Sequence, residues 1–217
     1  MFNPAADKFN PAATYTNQVF IYIWNIKQGV KHTIKENKSY YLTMTIVEWV
    51  DIFSRKEQRD NIIDSLRYCI KSKGLNVYAY CIMTNHVHLI VNCNEPFQLK
   101  NTIRDFKKFT SKAIISEIIN GNESRRDWLL NIFEKAGAAD PKNKTYKVWK
   151  SGNHAIELYS EKFTWEKVNY IHQNPVKSGF VLKQEEWLYS SASNYVETEK
   201  ILLEEVECLT PFLITIR

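Results

Sequence analysis

The spacing of apolar residues predicts an α+β domain that begins near Ser39. Three segments rich in β-branched and aromatic residues predict strands: 40–49, 75–83 and 86–91. Three segments carry apolar residues at helical spacing and predict helices: 56–73, 97–119 and 124–135. Gly74 is expected to end the first helix, and Thr84-Asn85 to join the last two strands into a hairpin. This order predicts an antiparallel sheet with helices packed on it, close to a ferredoxin-like plan.

The pattern in the second half of the chain is less regular. Residues 137–147 contain Gly, Pro, Asn and Lys and predict a loop, and residues 148–159 predict a short strand pair or an irregular strand. Thr164 is expected to cap a short helix over 164–173. That helix should end before Pro175, because the residue that precedes a proline resists helical geometry.

Composition and charge narrow the class of protein only slightly. The chain has 217 residues, 44% of them hydrophobic, which is enough for a packed core. The net charge of +5 permits binding to a polyanion without requiring it. None of the 4 cysteines belongs to a Cys-x-x-Cys pair, so we expect a reducing compartment and neither a zinc site nor a disulfide scaffold. No apolar run is long enough to span a bilayer, so a soluble, cytoplasmic protein is expected.

The sharpest local signal is the run His86-Val87-His88. In a strand, residues i and i+2 point to the same face, so the two imidazoles are expected side by side, where they can bind one divalent cation. The surrounding residues are almost wholly apolar, and polar side chains in a buried sheet need a reason. A pair of surface or hydrogen-bonded histidines is the alternative, and the spacing alone leaves both open.

A second candidate lies on the predicted helix 164–173. The packing residues of this helix are expected to be Trp165, Val168 and Ile171 or His172. Tyr170 lies off that stripe, so its hydroxyl can reach a cleft, on the same side as Gln173 and Asn174. A structural role is the ordinary alternative for any one of the 12 tyrosines.

Two runs of sequence together resemble the REP-associated branch of the single-tyrosine transposases, within the His-hydrophobic-His endonuclease superfamily. They are Tyr-Cys-Ile-Met-x-Asn-His-x-His-Leu-Ile at 80–90 and Asn-Tyr-Ile-x-x-Asn-Pro-Val-x-x-Gly at 169–179. The resemblance covers roughly residues 38–195, which we take as the catalytic domain. Residues 1–37 would then be an N-terminal extension and residues 196–217 a C-terminal tail.

The resemblance implies a ferredoxin-like catalytic fold, a Mg²⁺ or Mn²⁺ ion and a tyrosine nucleophile. Carried over to this sequence, His86 and His88 match the metal ligands and Tyr170 matches the nucleophile. Asn174 matches the polar residue expected to complete the metal site. Two further candidates for a metal or DNA contact are His154 and Gln173. A surface histidine at the end of a strand is the alternative for His154.

Basic residues on the second and third predicted helices are candidates for binding a DNA backbone. They are Lys100, Arg104, Lys107, Lys108, Lys112, Arg125 and Arg126. Helical spacing aligns several of them on one face, which would follow phosphates and make binding salt-dependent. A solvated outer face is the alternative. The candidates for stacking on unpaired bases are Trp149, Trp187 and Tyr189.

The resemblance therefore implies a metal-dependent transposase that cuts and rejoins single-stranded DNA at hairpin-associated sites through a 5′-phosphotyrosine. We expect single-stranded or hairpin DNA as its partner, an association with the nucleoid, and a monomer or homodimer. Two alternatives stay open. One is a domesticated relative that binds hairpin DNA without cutting it, and the other is a metal-dependent phosphoesterase that acts on small phosphate esters.

Overall fold

One antiparallel sheet organises the part of the chain that the computed structural model describes, residues 34–141, 145–196 and 199–210. Its strands are β1 (Tyr40–Thr45), β2 (Leu75–Ile82), β3 (His86–Cys93) and β4 (Ile156–Glu157). They lie in the order β2-β3-β1-β4, so β3 is hydrogen-bonded on both sides. This order, with helices in the connections, is that of a ferredoxin-like fold and confirms the predicted α+β class.

The helices follow the apolar spacing of the sequence closely in the first half of the domain. They are α1 (Lys56–Lys73), α2 (Leu99–Asn120), α3 (Arg126–Ala138), α4 (Glu161–Lys177) and the short α5 (Ala192–Tyr195). The predicted bounds of α1 are confirmed. Gly74 ends this helix in the left-handed region, at φ 59°, and its N–H donates to the carbonyl of Cys69. Glycine suits this position because it has no Cβ to clash there.

The two faces of the sheet pack against different helices. On one face, which we call the α1–α3 face, Leu42 of β1 and Leu89 of β3 belong to the large core that the sheet forms with helices α1, α2 and α3. On the opposite face, which we call the α4 face, Tyr41 and Ile90 pack against Val168 of α4. Because side chains alternate along a strand, this assignment places the His86–His88 pair on the α4 face.

Helix α4 differs from its prediction at both ends. It begins at Glu161 with Ser160 as the cap, since the Ser160 hydroxyl accepts a hydrogen bond from the N–H of Phe163. The prediction of Thr164 as the cap was wrong. The helix also continues through Pro175 to Lys177. Proline in a helix interior costs about 3 kcal/mol, and here the burial of Pro175 and of neighbouring apolar residues offsets that cost.

Three other predicted elements are shorter than expected. Strand β1 ends at Thr45, not Trp49, because the chain turns there into a 3-10 turn, Val47–Trp49. The segment 148–159 contains only the two-residue strand β4 and an isolated bridge between Ile46 and Trp149. Of the predicted loop 137–147, residues 137 and 138 complete α3, and residues 142–144 lie outside the described part.

The described end of the predicted tail packs on the domain. Leu203 is fully buried, and the N–H of Glu207 donates to the carbonyl of Val77 in β2. Most of the predicted extension, residues 1–33, lies outside the described residues, so the proposed domain bounds stay a prediction. None of the described helices is long and apolar enough to cross a membrane.

Candidate active site

The two histidines of β3 form a close pair on the α4 face. Their ring centroids are 4.6 Å apart, and His88 is only 3% exposed, whereas His86 is half-buried. Burial lowers the pKa of His86 to about 4. Burial also lowers the pKa of His88, with smaller contributions from the positive charge of His86 and Lys167. Both imidazoles are therefore neutral near pH 7, which is the form that binds metal ions.

Hydrogen bonds to one nitrogen of each ring leave the other nitrogen available. His86 Nδ1 lies 2.6 Å from Asn85 Oδ1, and His88 Nδ1 lies 2.9 Å from the Tyr41 hydroxyl and 3.0 Å from the Thr43 hydroxyl. When Nδ1 carries the proton, the lone pair is on Nε2. His88 Nε2 is buried and has no hydrogen-bond partner among the described residues.

Helix α4 brings Tyr170 to this pair. The Tyr170 ring lies edge-on to His88 and Tyr41, with centroid distances of 5.7 Å and 6.1 Å. Val168, Ile171 and His172 are buried as predicted, and Tyr170 remains 41% exposed. The phenol is therefore open to solvent on one side and next to the imidazoles on the other.

Two lysines of α4 add positive charge around the phenol. The Lys167 ammonium lies 5.4 Å from the Tyr41 ring centroid and 5.9 Å from that of Tyr170. The Lys177 ammonium lies 5.8 Å from the Tyr170 centroid. Burial lowers the pKa of Lys167, while the neighbouring carboxylate of Glu166 acts in the opposite direction. Charge of this sign beside the phenol favours an anionic ligand such as a phosphodiester.

The three other residues predicted as metal ligands or contacts have different surroundings in the structure. Asn174 lies one turn after Tyr170 on α4, and its side-chain nitrogen is buried without a hydrogen-bond partner among the described residues. Gln173 donates instead to the side-chain oxygen of Gln184. His154 is exposed at φ 42°. Within the described ranges no three His, Cys, Asp or Glu side chains come together as a metal site, so His154 does not complete the pair.

The predicted DNA-binding residues fall into two groups. Four of them lie exposed on α2, which packs on the α1–α3 face: Lys100, Arg104, Lys108 and Lys112. Three others bind within the protein. Arg125 pairs with Asp51 and Glu123, and Arg126 donates to the carbonyls of Ile118 and Gly121. The Lys107 ammonium donates to Lys150, Gly152 and Asn153. These three have structural partners that a sequence pattern does not reveal.

Lys107 connects α2 to the edge of the site. It holds the segment 150–153, in which the Asn153 carbonyl accepts a hydrogen bond from the N–H of Thr43, the residue that contacts His88. Burial lowers the pKa of Lys107 to about 8, and the charge of Lys147 acts in the same direction. Lys107 is thus a half-buried anchor whose ammonium is bound within the protein.

Replacement of Lys107 by methionine should destabilise the protein, whereas the same replacement at the neighbouring Lys108 should not. Lys107→Met keeps the length of the side chain but leaves three oxygen acceptors unpaired, so we expect the free energy of unfolding to fall by about 1–3 kcal/mol. Urea denaturation measures this change, with the exposed Lys108→Met as the matched control. Equal midpoints for the two variants would contradict the anchoring role.

Two of the predicted stacking residues are buried. Trp149 is 4% exposed and its ring N–H donates to Thr110, and Tyr189 is 5% exposed and its hydroxyl donates to Asp60. Neither can stack on a base, and their prediction as stacking residues was wrong. Trp187 is half-buried, and its ring N–H donates to the carbonyl of Ile82.

Sequence reasoning missed the residues that orient the histidines. Tyr41 and Thr43 belong to β1, and only the register that sets Thr43 opposite His88 shows that they meet the ring. Asn85 directly precedes His86, so it was visible in the sequence as a polar residue within an apolar hairpin.

Comparison with known proteins agrees with this architecture. Residues 26–130 match the model of a family described as Transposase IS200 like, a range that contains the histidine pair but not Tyr170. No protein of curated function matches the chain. A REP-associated tyrosine transposase bound to a REP hairpin is similar, with 16% identity, a TM-score of 0.53, and coverage of 85% of this chain and 94% of that one.

A proposed transposase from Deinococcus radiodurans R1 is 15% identical, with a TM-score of 0.39, and the match covers 66% of this chain and 95% of that one. The likeness to the REP-associated enzyme, at 16% identity, shows the fold. The family match covers the first three strands and just under half of the 217 residues, so this part of the chain is similar to the IS200-like transposases.

Proposed function

We propose that this chain cleaves and rejoins single-stranded DNA, with Tyr170 as the nucleophile and a divalent metal at the histidine pair. The observation that carries the proposal is the position of the Tyr170 ring, 5.7 Å from His88, whose Nε2 is buried and without a partner in the described part of the chain. A partly exposed phenol and a potential metal ligand thus lie next to each other.

The side chains at the site fit a divalent cation. His86 and His88 would each offer Nε2, because Nδ1 is engaged by oxygen atoms in both rings. A rotation of the Asn174 amide by 180° would put Oδ1, a metal-ligating atom, where the unpaired nitrogen now lies. Two imidazoles with one amide oxygen suit Mn²⁺ better than Mg²⁺, which prefers oxygen ligands. When bound, the ion would polarise the scissile phosphate and offset charge on its oxygens.

The residues of the chain itself would position and carry out the exchange. Tyr170 Oη attacks the phosphorus, and the bond from phosphorus to the 3′ oxygen breaks. The phenol loses its proton, and the departing oxygen takes one up as a free 3′-hydroxyl. The phosphate stays on the tyrosine as a 5′-phosphotyrosine, so another 3′-hydroxyl can reverse the step without an added energy source. Lys167 and Lys177 would hold the negatively charged backbone beside the phenol.

A single strand is the substrate form that the site favours. Tyr170 is 41% exposed but rests against the sheet, so a backbone must approach closely, which an unpaired strand does more easily than a regular duplex. The similar REP-associated enzyme was solved bound to a REP hairpin, which supports DNA with a hairpin and a single-stranded tail as the partner.

A double-label experiment tests the proposal. The protein is incubated with Mn²⁺ and a hairpin oligonucleotide that has a single-stranded tail, labelled in separate samples at the 5′ or the 3′ end. On a denaturing gel, only the fragment downstream of the cut should migrate with the protein, since the phosphate stays on Tyr170. Peptide mass spectrometry should place the adduct on Tyr170. Binding without an adduct would instead support a non-cutting DNA-binding protein, and release of phosphate from small esters would support a phosphoesterase.

Asn85 should tune the metal site through His86. Asn85→Ala removes the oxygen that lies 2.6 Å from His86 Nδ1, so the ring loses the partner that fixes its orientation. We expect Mn²⁺ affinity, measured by isothermal titration calorimetry, to fall by about 10- to 100-fold. Asn94→Ala, at the other end of the same hairpin, is the matched control and should bind Mn²⁺ as the unmodified protein does. Unchanged affinity in Asn85→Ala would rule out this orienting role.

A further inference from the structure

An exposed indole stands beside the histidine pair. Trp49 is 59% exposed, although it is one of the largest apolar side chains of the domain. Its ring centroid lies 6.4 Å from that of His86. The His86 ring in turn contacts His88, and the His88 ring contacts Tyr170. The indole is therefore next to the candidate active site and open to solvent.

The backbone that presents this indole is in an unfavourable conformation. Glu48 and Trp49 have φ values of 52° and 55°, in the left-handed region that bulky side chains rarely adopt. Hydrogen bonds on each side maintain the turn: the Trp49 N–H donates to Ile46, and the Asn85 side-chain amide donates to the Trp49 carbonyl. Strain of this kind persists where the surrounding structure enforces it and is concentrated at functional sites.

Asn85 couples the indole to the metal-binding ring. Its side-chain nitrogen donates to Trp49, and its side-chain oxygen lies 2.6 Å from His86 Nδ1. One amide thus fixes both the exposed ring and the neighbouring imidazole. The position of the indole is set relative to the site where the scissile phosphate would lie.

A lysine adds positive charge at the same place. The Lys150 ammonium lies 4.5 Å from the centroid of the Trp49 ring. Lys150 is anchored by its backbone, because its N–H donates to Thr45 and its carbonyl accepts from Lys107. An exposed aromatic ring with an adjacent cation has the two features that bind an unpaired nucleotide, a stacking surface for the base and a charge for its phosphate.

We propose that Trp49 is a stacking platform for an unpaired base of single-stranded DNA, adjacent to the scissile phosphate, and that Lys150 binds the phosphate of the same nucleotide. This inference rests on the proposed strand-cutting function. It assigns to Trp49 the task of fixing which nucleotide enters the site, because stacking holds the strand in register relative to His86. The stacking residues expected from the sequence did not include Trp49, and two of those three are buried.

The test combines substitutions of the indole with abasic DNA. Fluorescence anisotropy measures binding of a hairpin oligonucleotide with a single-stranded tail, intact or with each tail position abasic in turn. Trp49→Ala should weaken binding of intact DNA by about tenfold, and Trp49→Phe by about threefold or less, since a phenyl ring still stacks. At one tail position, loss of the base should weaken binding to the unmodified protein by about the same factor but leave Trp49→Ala unaffected.

The matched control is Tyr68→Ala. Tyr68 is 58% exposed and lies on α1, on the opposite side of the sheet, so its loss should leave DNA binding unchanged. Thermal melts of both alanine variants should agree with the unmodified protein. If Trp49→Ala binds intact DNA as tightly as Tyr68→Ala does, or if every abasic position weakens both proteins equally, Trp49 is not a stacking platform.

These experiments distinguish a failure of the stacking proposal from a failure of the proposed strand cutting. A Tyr170 adduct that forms without any coupling between Trp49 and an abasic position overturns the stacking proposal alone. Coupling without an adduct in the unmodified protein supports the stacking platform and overturns strand cutting.

Discussion

Tyr170→Phe should abolish the covalent protein–DNA adduct and reduce strand cleavage by at least about 1,000-fold, because the variant has no oxygen to attack the phosphate. The change removes only the hydroxyl of a side chain that is 41% exposed, so folding and DNA affinity should be preserved. Adduct formation on a denaturing gel and binding by fluorescence anisotropy measure the two quantities in the same samples.

Tyr159→Phe provides the matched control for this result. Tyr159 is 76% exposed and stacks on Phe163 near the start of α4, so it offers the same phenol with greater access to solvent. It should form the adduct at the rate of the unmodified protein. Full adduct formation by Tyr170→Phe would show that another residue is the nucleophile, and mass spectrometry would then identify it.

His86→Ala and His88→Ala should each reduce cleavage by at least about a hundredfold while changing DNA affinity by less than about threefold. The physical reason is that each substitution removes an imidazole from the α4 face, where the positive charges of Lys167 and Lys177 remain. Mn²⁺ binding, measured by calorimetry in the absence of DNA, should be lost in both variants. This readout does not depend on activity.

His172→Ala separates loss of a ligand from loss of a buried histidine. Its ring is 2% exposed on α4, but Nε2 lies 2.8 Å from the Ser191 hydroxyl and is already engaged. The variant should be less stable and should still bind Mn²⁺ at temperatures where it is folded. A parallel loss of DNA affinity in His86→Ala or His88→Ala would contradict the division between metal binding and DNA binding.

Local patterns predicted the features that depend on neighbouring residues in sequence. Apolar spacing and Gly74 gave both ends of α1, and the two-residue period of a strand placed His86 and His88 on one face. Helical spacing placed Tyr170 off the packing stripe of α4. Each of these depends on one element alone, so a sequence contains the necessary information.

Features that depend on tertiary contacts were not predictable in this way. A proline usually ends a helix, and only the packing of α4 on the sheet explains why Pro175 lies within it. An aromatic residue in an irregular segment gives no sign of whether it faces inward, so Trp149 was misjudged and Trp49 was overlooked. The acceptors that bury the Lys107 ammonium come from a segment about forty residues later in the chain.

The two halves of the site belong to parts of the domain that differ in how firmly they are held. The imidazoles are carried by β3, which is bonded along both edges and rests on the large core, whereas the phenol is carried by a single helix packed on the smaller cluster. Amide hydrogens of such a central strand exchange only when the whole domain opens, while those of a peripheral helix exchange through local fluctuations. Partial melting of α4 would therefore separate the Tyr170 phenol from an intact pair of imidazoles. Mild heating should therefore abolish strand cutting at a temperature below that at which the domain unfolds cooperatively.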